Sequence, residues 1–208
     1  MIDNLRMRSP ATARNREPIL AVLRRVLPRR GALLEIASGS GEHAVWCAPH
    51  FPDLVWQPSD PDPAARASIA VWIAATESDT IQPPRDLDVT GADWGVAASS
   101  LAAIVCVNMI HIAPWSACVG LMTGAGRYLG PGGVLYLYGP FSRGGRHSAP
   151  SNEAFDQSLR ARNPAWGVRD LDDVAELAAG HGLVLDEIVD MPANNLSVVF
   201  RKGQSDPS

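Results

Sequence analysis

The sequence predicts an α/β fold in which a doubly wound, mostly parallel sheet ends in an antiparallel hairpin. Short apolar runs alternate with amphipathic segments, which is typical of parallel strands joined by helices on both faces of a sheet. The first apolar run ends in a glycine-rich turn at residues 37–41. Only six residues separate the last two apolar runs, which is too few for a crossover helix and therefore predicts a hairpin.

The first half of the chain supplies three helices, two clear strands and one weak strand. Residues 18–27 carry apolar side chains at helical spacing, whereas residues 32–37 and 54–57 are short apolar runs bounded by turn residues. The predicted order is helix 18–27, strand 32–37, helix 42–49, strand 54–57, helix 64–75 and a weak third strand that ends at residues 86–89.

The second half completes a seven-stranded sheet. Its strongest strand signal is the β-branched run 101–109, and the Gly-Pro-Gly-Gly sequence at 130–133 is expected to break the helix before the next strand. Asp170 is a candidate helix cap. The predicted order is strand 101–109, helix 117–129, strand 134–138, a polar loop at 140–150, helix 151–162, helix 170–180, and strands 183–189 and 196–201.

Length and composition favour one globular domain over residues 1–203, followed by a flexible polar tail at 204–208. The net charge is −4 and no long basic run occurs, which argues against nucleic acid as a partner. The sequence shows neither a signal-peptide core nor a run of about 18 apolar residues, so we expect no membrane span and a cytoplasmic location. The three cysteines lack the spacing of a zinc site, and no metal is predicted.

The turn after the first predicted strand is the strongest functional signal. Gly39 and Gly41 lack Cβ atoms, so a ligand can approach the main chain at the carboxyl end of the strand. Asp60 follows the second strand about twenty residues later, where a carboxylate can accept hydrogen bonds from both hydroxyls of a ribose. Asp88 follows the third strand at the same edge. Structural roles stay open for both: helix capping for Asp60 and an Asx turn for Asp88.

Two nucleotide cofactors fit this pattern. Residues 39–44, Gly-Ser-Gly-Glu-His-Ala, match the Gly-x-Gly-x-x-Ala of NAD(P)-dependent oxidoreductases. Glu35 lies inside the first strand and favours a cofactor with a cationic amino group, because a carboxylate there would repel a pyrophosphate. The C-terminal hairpin also favours the cofactor with a cationic amino group over NAD(P).

The same residues resemble the class I S-adenosylmethionine-dependent methyltransferases. Their acidic-x-Gly-x-Gly-x-Gly motif is carried by residues 35–41, with Ala37 in place of the first glycine, and residues 130–135 resemble the turn before their fifth strand. The segments SPATARNREPIL, LLEIASGSGEHAVWCA, WQPSD, NMIHIAPW and YGPF resemble one branch more closely, domain-of-unknown-function family 938 (the methyltransferase-like 26 type). The resemblance covers residues 18–202 and implies a Rossmann-like sheet that binds S-adenosylmethionine and releases S-adenosylhomocysteine.

The resemblance also implies roles for individual residues. Arg14 and Asn15, before the first predicted helix, are candidates for folding over the site. The expected cofactor-binding set is Glu35, Ala37, Gly39 and Gly41 for the amino-acid half, Asp60 for the ribose, Asp88 for the adenine, and Asn108 and Met109 beside the sulfonium.

Candidate catalytic residues follow the fourth and fifth predicted strands. His111 comes directly after a strand end, near the expected methyl group, and is the candidate general base. Arg143 and His147 lie in the polar loop after the fifth strand and are candidates for binding an anionic or phenolic acceptor. Residues 108–111 are Asn-Met-Ile-His, unlike the Asn/Asp-Pro-Pro-aromatic motif of amino-group methylases of nucleic acids. The prediction is therefore O-methyl transfer to a small-molecule acceptor.

Two other functions stay open. One is an NAD(P)-dependent oxidoreductase, on the strength of the glycine match. The other is a non-catalytic S-adenosylmethionine-binding partner subunit, because no single residue is an unambiguous catalytic group. A homodimer is among the assemblies that the sequence allows.

Overall fold

A six-stranded sheet forms the centre of the computed structural model, which describes residues 5–204. The strands of the chain are β1 (Gly31–Ile36), β2 (Leu54–Pro58), β3 (Leu101–Val107), β4 (Leu129–Gly139), β5 (Phe141–Arg143), β6 (Arg146–His147), β7 (Arg169–Asp170), β8 (Leu183–Met191) and β9 (Asn195–Lys202). The main sheet has the order β2-β1-β3-β4-β9-β8, and β5, β6 and β7 form a small second sheet. Strands β1 to β4 are parallel, whereas β9 is antiparallel to both β4 and β8. The predicted hairpin is therefore confirmed.

Helices cover both faces of the main sheet. They are α1 (Pro10–Val26), α2 (Glu42–Cys47), α3 (Pro63–Ala74), α4 (Trp115–Tyr128), α5 (Pro150–Arg162) and α6 (Leu171–Gly180). Neighbouring residues of β1 show the two layers, because Leu33 packs in the apolar cluster with α1 and α2 and Leu34 packs in the cluster with α4 and α6. This arrangement confirms the doubly wound prediction. Within residues 5–204, no helix is long and apolar enough to cross a membrane.

The prediction of seven strands is wrong, because the weak third strand does not form. Residues 79–89 run beside β2 and make only two isolated parallel bridges to it, Trp56 with Ile81 and Ser59 with Arg85. Pro84 interrupts the pairing between those bridges. Gln82 donates its N–H to Trp56, and the next donor on that side would be residue 84, which as a proline has no N–H, so Arg85 donates to Pro58 instead. The sheet consequently ends at β2.

Two boundaries also differ from the prediction for reasons of local chemistry. Helix α1 begins at Pro10 rather than at residue 18, because a proline at the first helical position loses no hydrogen bond, and Pro18 is tolerated inside the helix. Residues 130–133 were expected to form a turn, but they belong to β4, whose pairing with β3 shifts register there. Of the predicted flexible tail at 204–208, the described chain includes only Gln204.

Candidate active site

The strand order reverses between β1 and β3, and a cavity of 420 Å³ opens at this point. Open α/β sheets bind ligands at such a reversal, where the loops after two neighbouring strands diverge. The cavity is lined by the residues that follow β1 and β3 and by the beginning of α1, which contributes Ser9 and Thr12.

Glu35 is a buried carboxylate on the wall of this 420 Å³ cavity. Its side chain is almost inaccessible to solvent, and its Oε2 accepts a 2.7 Å hydrogen bond from Nε1 of Trp56. Burial raises the pKa of Glu35 from 4.5 to about 7, although the hydrogen bond from Trp56 works in the opposite direction. Among residues 5–204, no cationic side chain forms an ion pair with it. A cationic ligand group in the cavity would therefore gain a partner that the protein leaves unneutralised.

Asp60 borders the same cavity at the carboxyl end of β2. Its Oδ2 accepts a 3.0 Å hydrogen bond from the N–H of Gly39, and its Oδ1 accepts a 2.9 Å bond from the N–H of Asp62. The cap of α3 is Asp62, whose side chain accepts from the N–H of Ala64. Helix capping therefore does not account for Asp60. Its carboxylate is held by two main-chain N–H donors and lines the cavity.

The two glycines of the turn serve different purposes. A Cβ on Gly39 would meet nothing closer than the carbonyl oxygen of Ala37 at 4.0 Å, because the space above Gly39 belongs to the cavity. A Cβ on Gly41 would lie 2.8 Å from Cα of Ile69 in α3. Gly41 is therefore required by helix packing and does not line the cavity. Ala37, which stands where the methyltransferase motif has glycine, adopts a left-handed φ of 51°.

A second cavity of 390 Å³ adjoins the first and shares four lining residues with it, Ala37, Pro61, Met109 and Ala113. Its walls are mostly apolar and come from residues 87–90 and the start of α4. Asp88 stands at the rim, where its Oδ1 accepts 2.8 Å hydrogen bonds from both N and Oγ1 of Thr90. The Asx turn expected as an alternative role for Asp88 is therefore present, and the same side chain borders the cavity.

A third cavity of 640 Å³ shares Ser9, Asn108 and Ile112 with the first. Its walls come from the beginning of α1, the end of β4, α5, and the turn between β8 and β9. Asn108 adopts a left-handed φ of 58°, and its N–H donates a 2.8 Å hydrogen bond to the carbonyl oxygen of Tyr138. This conformation places Asn108 at the junction of the two cavities.

His111 lines the 640 Å³ cavity and is almost completely buried. Burial lowers the pKa of its imidazole from 6.5 to about 4, and the positive charge of Arg169 lowers it further. The ring packs edge-on against Phe155 with a centroid separation of 5.8 Å. Its Nδ1 has no hydrogen-bond partner among the described residues. The imidazole is thus neutral at physiological pH. Its Nδ1 is inaccessible to solvent and lies on the side of Gly139.

The other two predicted acceptor-binding residues, Arg143 and His147, are not in the linings of these three cavities. The Nε2 of His147 lies 3.7 Å from Oδ2 of Asp156, in a separate pocket beside α5 and β7. Arg143 is exposed, and its Nη2 lies 3.6 Å from Oδ1 of Asp190. Residues 140–150, which were predicted as a polar loop, include the paired strands β5 and β6, and of these residues only Pro140 lines the 640 Å³ cavity. The structure thus brings His111 to the cavity but not Arg143 or His147.

Sequence reasoning missed part of the cavity wall. Residues 192–195, between β8 and β9, line the 640 Å³ cavity together with Ser151 and Asn152 of α5. The proline and two asparagines of this turn are an ordinary loop signal, and nothing in their local pattern indicates which side of the sheet they reach. Arg14 and Asn15, named as candidates for covering the site, line the same cavity from within α1.

Comparison with known proteins adds a family to this geometry. A family model described as "Protein of unknown function (DUF938)" matches residues 6–202. The chain belongs to the DUF938 family. The match includes the strands, the helices and every residue assigned to the three cavities, so the site is part of the family's domain.

Solved structures resemble the DUF938 chain along nearly its whole length. An O-methyltransferase family protein from Burkholderia thailandensis is 16% identical over 94% of this chain and 58% of its own, with a TM-score of 0.79. Human N-acetylserotonin methyltransferase, solved in complex with SAM, is 14% identical over 93% of this chain and 53% of its own, with a TM-score of 0.76. The DUF938 chain therefore spans just over half the length of these two proteins. At such low identity the likeness shows a shared fold, the Rossmann-like fold of class I methyltransferases.

Proposed function

We propose that this DUF938 protein is an S-adenosylmethionine-dependent methyltransferase that methylates a hydroxyl oxygen of a small-molecule acceptor. One observation carries the proposal: Asn108, at the end of β3, borders both the 420 Å³ cavity with Glu35 and the 640 Å³ cavity with His111. A donor and an acceptor bound in these two cavities would meet at that residue, as methyl transfer requires.

The residues present fit S-adenosylmethionine in chemistry as well as position. The buried and unneutralised carboxylate of Glu35 suits the cofactor's ammonium group, and the carboxylate of Asp60 suits the two ribose hydroxyls. The mostly apolar 390 Å³ cavity, with Asp88 at its rim, suits a flat adenine ring that carries an amino group. Met109 lies between the two cavities and would contact the middle of the cofactor.

The chemistry that the bound cofactor supplies is a methyl group on a positively charged sulfur: the acceptor oxygen bonds to the methyl carbon, the carbon–sulfur bond breaks, and its electron pair stays on sulfur. The protein's contribution is to align the two reactants, to exclude water and to accept the hydroxyl proton. The neutral imidazole of His111 lines the acceptor cavity and can accept that proton.

The volume of the acceptor cavity supports a small acceptor. A volume of 640 Å³ lies in the range of cavities that enclose drug-sized molecules, about 300–1,000 Å³. The hydroxyl acceptor is supported by the neutral histidine, because an alcohol or phenol keeps its proton at neutral pH and needs a base whereas a thiolate does not.

The experiment that tests the proposal is transfer of an isotopically labelled methyl group. Purified protein is incubated with S-adenosylmethionine labelled in its methyl group and with a pooled small-molecule extract, and products are identified by mass spectrometry. The proposal predicts a small molecule that gains one labelled methyl group together with S-adenosylhomocysteine. Cofactor binding without any labelled product would instead support a non-catalytic partner subunit.

A further inference from the structure

Within residues 5–204, the lining of the 640 Å³ cavity carries a single charged side chain. Among the described residues that line it, Arg14 is the one with a formal charge, because its other polar side chains are amides, hydroxyls and the neutral His111. The guanidinium of Arg14 forms no ion pair or side-chain hydrogen bond with any residue in the range 5–204. The lining contains no carboxylate to neutralise it.

The charge of Arg14 acts on Tyr138, a buried residue at the end of β4 that lines the same cavity. Burial raises the pKa of Tyr138, whereas hydrogen bonds to Asn15 and Asn195 and the charge of Arg14 act in the opposite direction. Arg14 is therefore close enough to the phenol oxygen to act on it. The side chain of Arg14 is exposed and lines the cavity, so an anion bound there can reach its charge.

The rest of the lining offers an apolar surface. Phe155 of α5 lies edge-on to His111, and Ile112 and Pro140 add further apolar contact. The cavity thus combines an aromatic wall with a single cation.

The size of the cavity is limited by the turn between β8 and β9. Ala193 and Asn194 both adopt left-handed φ values, 58° and 57°. The turn is fixed to α5 by two hydrogen bonds, from Nδ2 of Asn152 to the carbonyl oxygen of Asn194 at 3.0 Å and from Nδ2 of Asn194 to Oγ of Ser151 at 3.2 Å. These two bonds hold the turn against α5 and shape this side of the cavity.

We infer that the acceptor is a small aromatic acid, whose carboxylate pairs with Arg14 and whose ring packs against Phe155. That this molecule accepts a methyl group rests on the proposed function. The preference of the cavity for an aromatic anion does not. The anion-binding role thus belongs to Arg14 of α1 and not to Arg143 and His147, the residues that the sequence suggested.

Binding calorimetry with charge-matched probes tests this inference. The probes are 2-, 3- and 4-hydroxybenzoate, the corresponding hydroxybenzamides and the corresponding hydroxybenzylamines, each titrated at millimolar concentration into the protein with and without S-adenosylhomocysteine. We expect at least one benzoate to bind about ten-fold more tightly than its amide, and the amines to bind most weakly. Arg14→Gln should bring the benzoate and its amide to within about two-fold of each other.

The matched control is Arg24→Gln, another exposed arginine of α1 that contacts His50 and is outside the cavity. It should leave the ten-fold preference intact. The inference is overturned if no benzoate binds, if amides or amines bind as tightly as benzoates, or if the preference survives Arg14→Gln. The titration of S-adenosylhomocysteine separates the two proposals. Aromatic anions that bind a protein without affinity for S-adenosylhomocysteine would contradict the methyltransferase and leave the anion site standing.

Discussion

The indole Nε1 of Trp56 donates a 2.7 Å hydrogen bond to Oε2 of Glu35, and both side chains are buried. The bond crosses from β2 to β1 and fixes the carboxylate at the cavity wall. Because burial raises the pKa of Glu35 to about 7, the fold maintains an acid that is partly protonated near neutral pH and is ready to be ionised by a cationic ligand.

Cofactor affinity should depend on pH through Glu35. A cationic ammonium binds the ionised carboxylate, so affinity for S-adenosylhomocysteine should rise from pH 6 to pH 8, as Glu35 loses its proton, and should then level off. Calorimetry in buffers of different ionisation enthalpy should detect proton release on binding at pH 6.5. In Glu35→Gln the affinity should be lower at pH 8 and nearly independent of pH. A wild-type affinity that falls between pH 6 and pH 8 would contradict this role.

Glu35→Gln should also stabilise the ligand-free protein at high pH. The folded pKa of about 7 is above the ordinary 4.5, so the stability associated with the protonated acid is complete below pH 4.5 and is lost as pH rises toward 7. The difference between a pKa of 4.5 and one of about 7 corresponds to a loss of about 3 kcal/mol in the free energy of unfolding for a fully buried group. Glu35→Gln keeps an acceptor for Trp56 and avoids the charge, so its Tm should exceed the wild-type value at pH 8, but by little at pH 4.5. Equal Tm differences at both pH values would show that the acid is not protonated in the folded state.

Asp60→Ala should weaken binding of S-adenosylhomocysteine by about ten- to a hundred-fold, because loss of hydrogen bonds to a charged acceptor costs about 1.5–3 kcal/mol. The control is Asp62→Ala, which removes the cap of α3. That change should cost about 1 kcal/mol of stability and should leave affinity unchanged. If the control loses more affinity than Asp60→Ala, the ribose contact belongs to Asp62 instead.

The glycine turn offers a matched pair of substitutions. Gly41→Ala places a methyl group 2.8 Å from Cα of Ile69 and should lower the free energy of unfolding by about 1–3 kcal/mol. Gly39→Ala meets no protein atom within van der Waals range but holds an alanine at a left-handed φ of 57°, which should cost about 1–2 kcal/mol of stability. Because the methyl group also enters the cavity, this variant should bind S-adenosylhomocysteine more weakly, whereas Gly41→Ala should not. Ala37→Gly relaxes a left-handed residue and should retain the wild-type affinity. Thermal denaturation and calorimetry on the three variants would show whether Gly39 faces a ligand.

His111 should matter for turnover and not for cofactor binding. His111→Ala is expected to lower kcat by about 10²- to 10⁴-fold if the imidazole accepts the hydroxyl proton, and to spare affinity for S-adenosylhomocysteine. Because burial lowers the pKa of His111 to about 4, the wild-type imidazole should stay unprotonated from pH 5.5 upward and should impose no acid limb on kcat there. The exposed His50 provides a control, since His50→Ala should behave as wild type. A loss of kcat in His147→Ala that equals the loss in His111→Ala would favour the acceptor position suggested by the sequence.

The sequence predicts features of the fold that are set by local chemistry. The hairpin of β8 and β9 follows from a short connection, and Asp170 caps α6 through its own side chain, which accepts from the N–H of Asp172. The missing strand beside β2 depends instead on which N–H groups of residues 79–89 face β2, because Pro84 falls at a position that would have to donate. The composition of residues 79–89 does not show that relation.

The candidate site likewise combines features that the sequence predicts with features that only the tertiary structure reveals. Glu35 lies near the carboxyl end of β1, Gly39 follows β1, and Asp60 follows β2. Because the carboxyl ends of these neighbouring parallel strands meet, the proximity of the three residues can be predicted once the sheet order is known. Which distant segment covers the acceptor cavity depends on tertiary packing. For that reason the sequence suggested both the loop with Arg143 and the segment with Arg14 and Asn15, whereas the structure places only the second at the cavity.

Calorimetric titration of the wild-type protein at pH 8 with S-adenosylhomocysteine, and separately with NAD and NADP, tests the central claim most directly. The account predicts that one S-adenosylhomocysteine binds per chain, that neither nicotinamide cofactor competes with it, and that Asp60→Ala weakens it. Binding of NAD or NADP without binding of S-adenosylhomocysteine would contradict the account and support an oxidoreductase on the same fold.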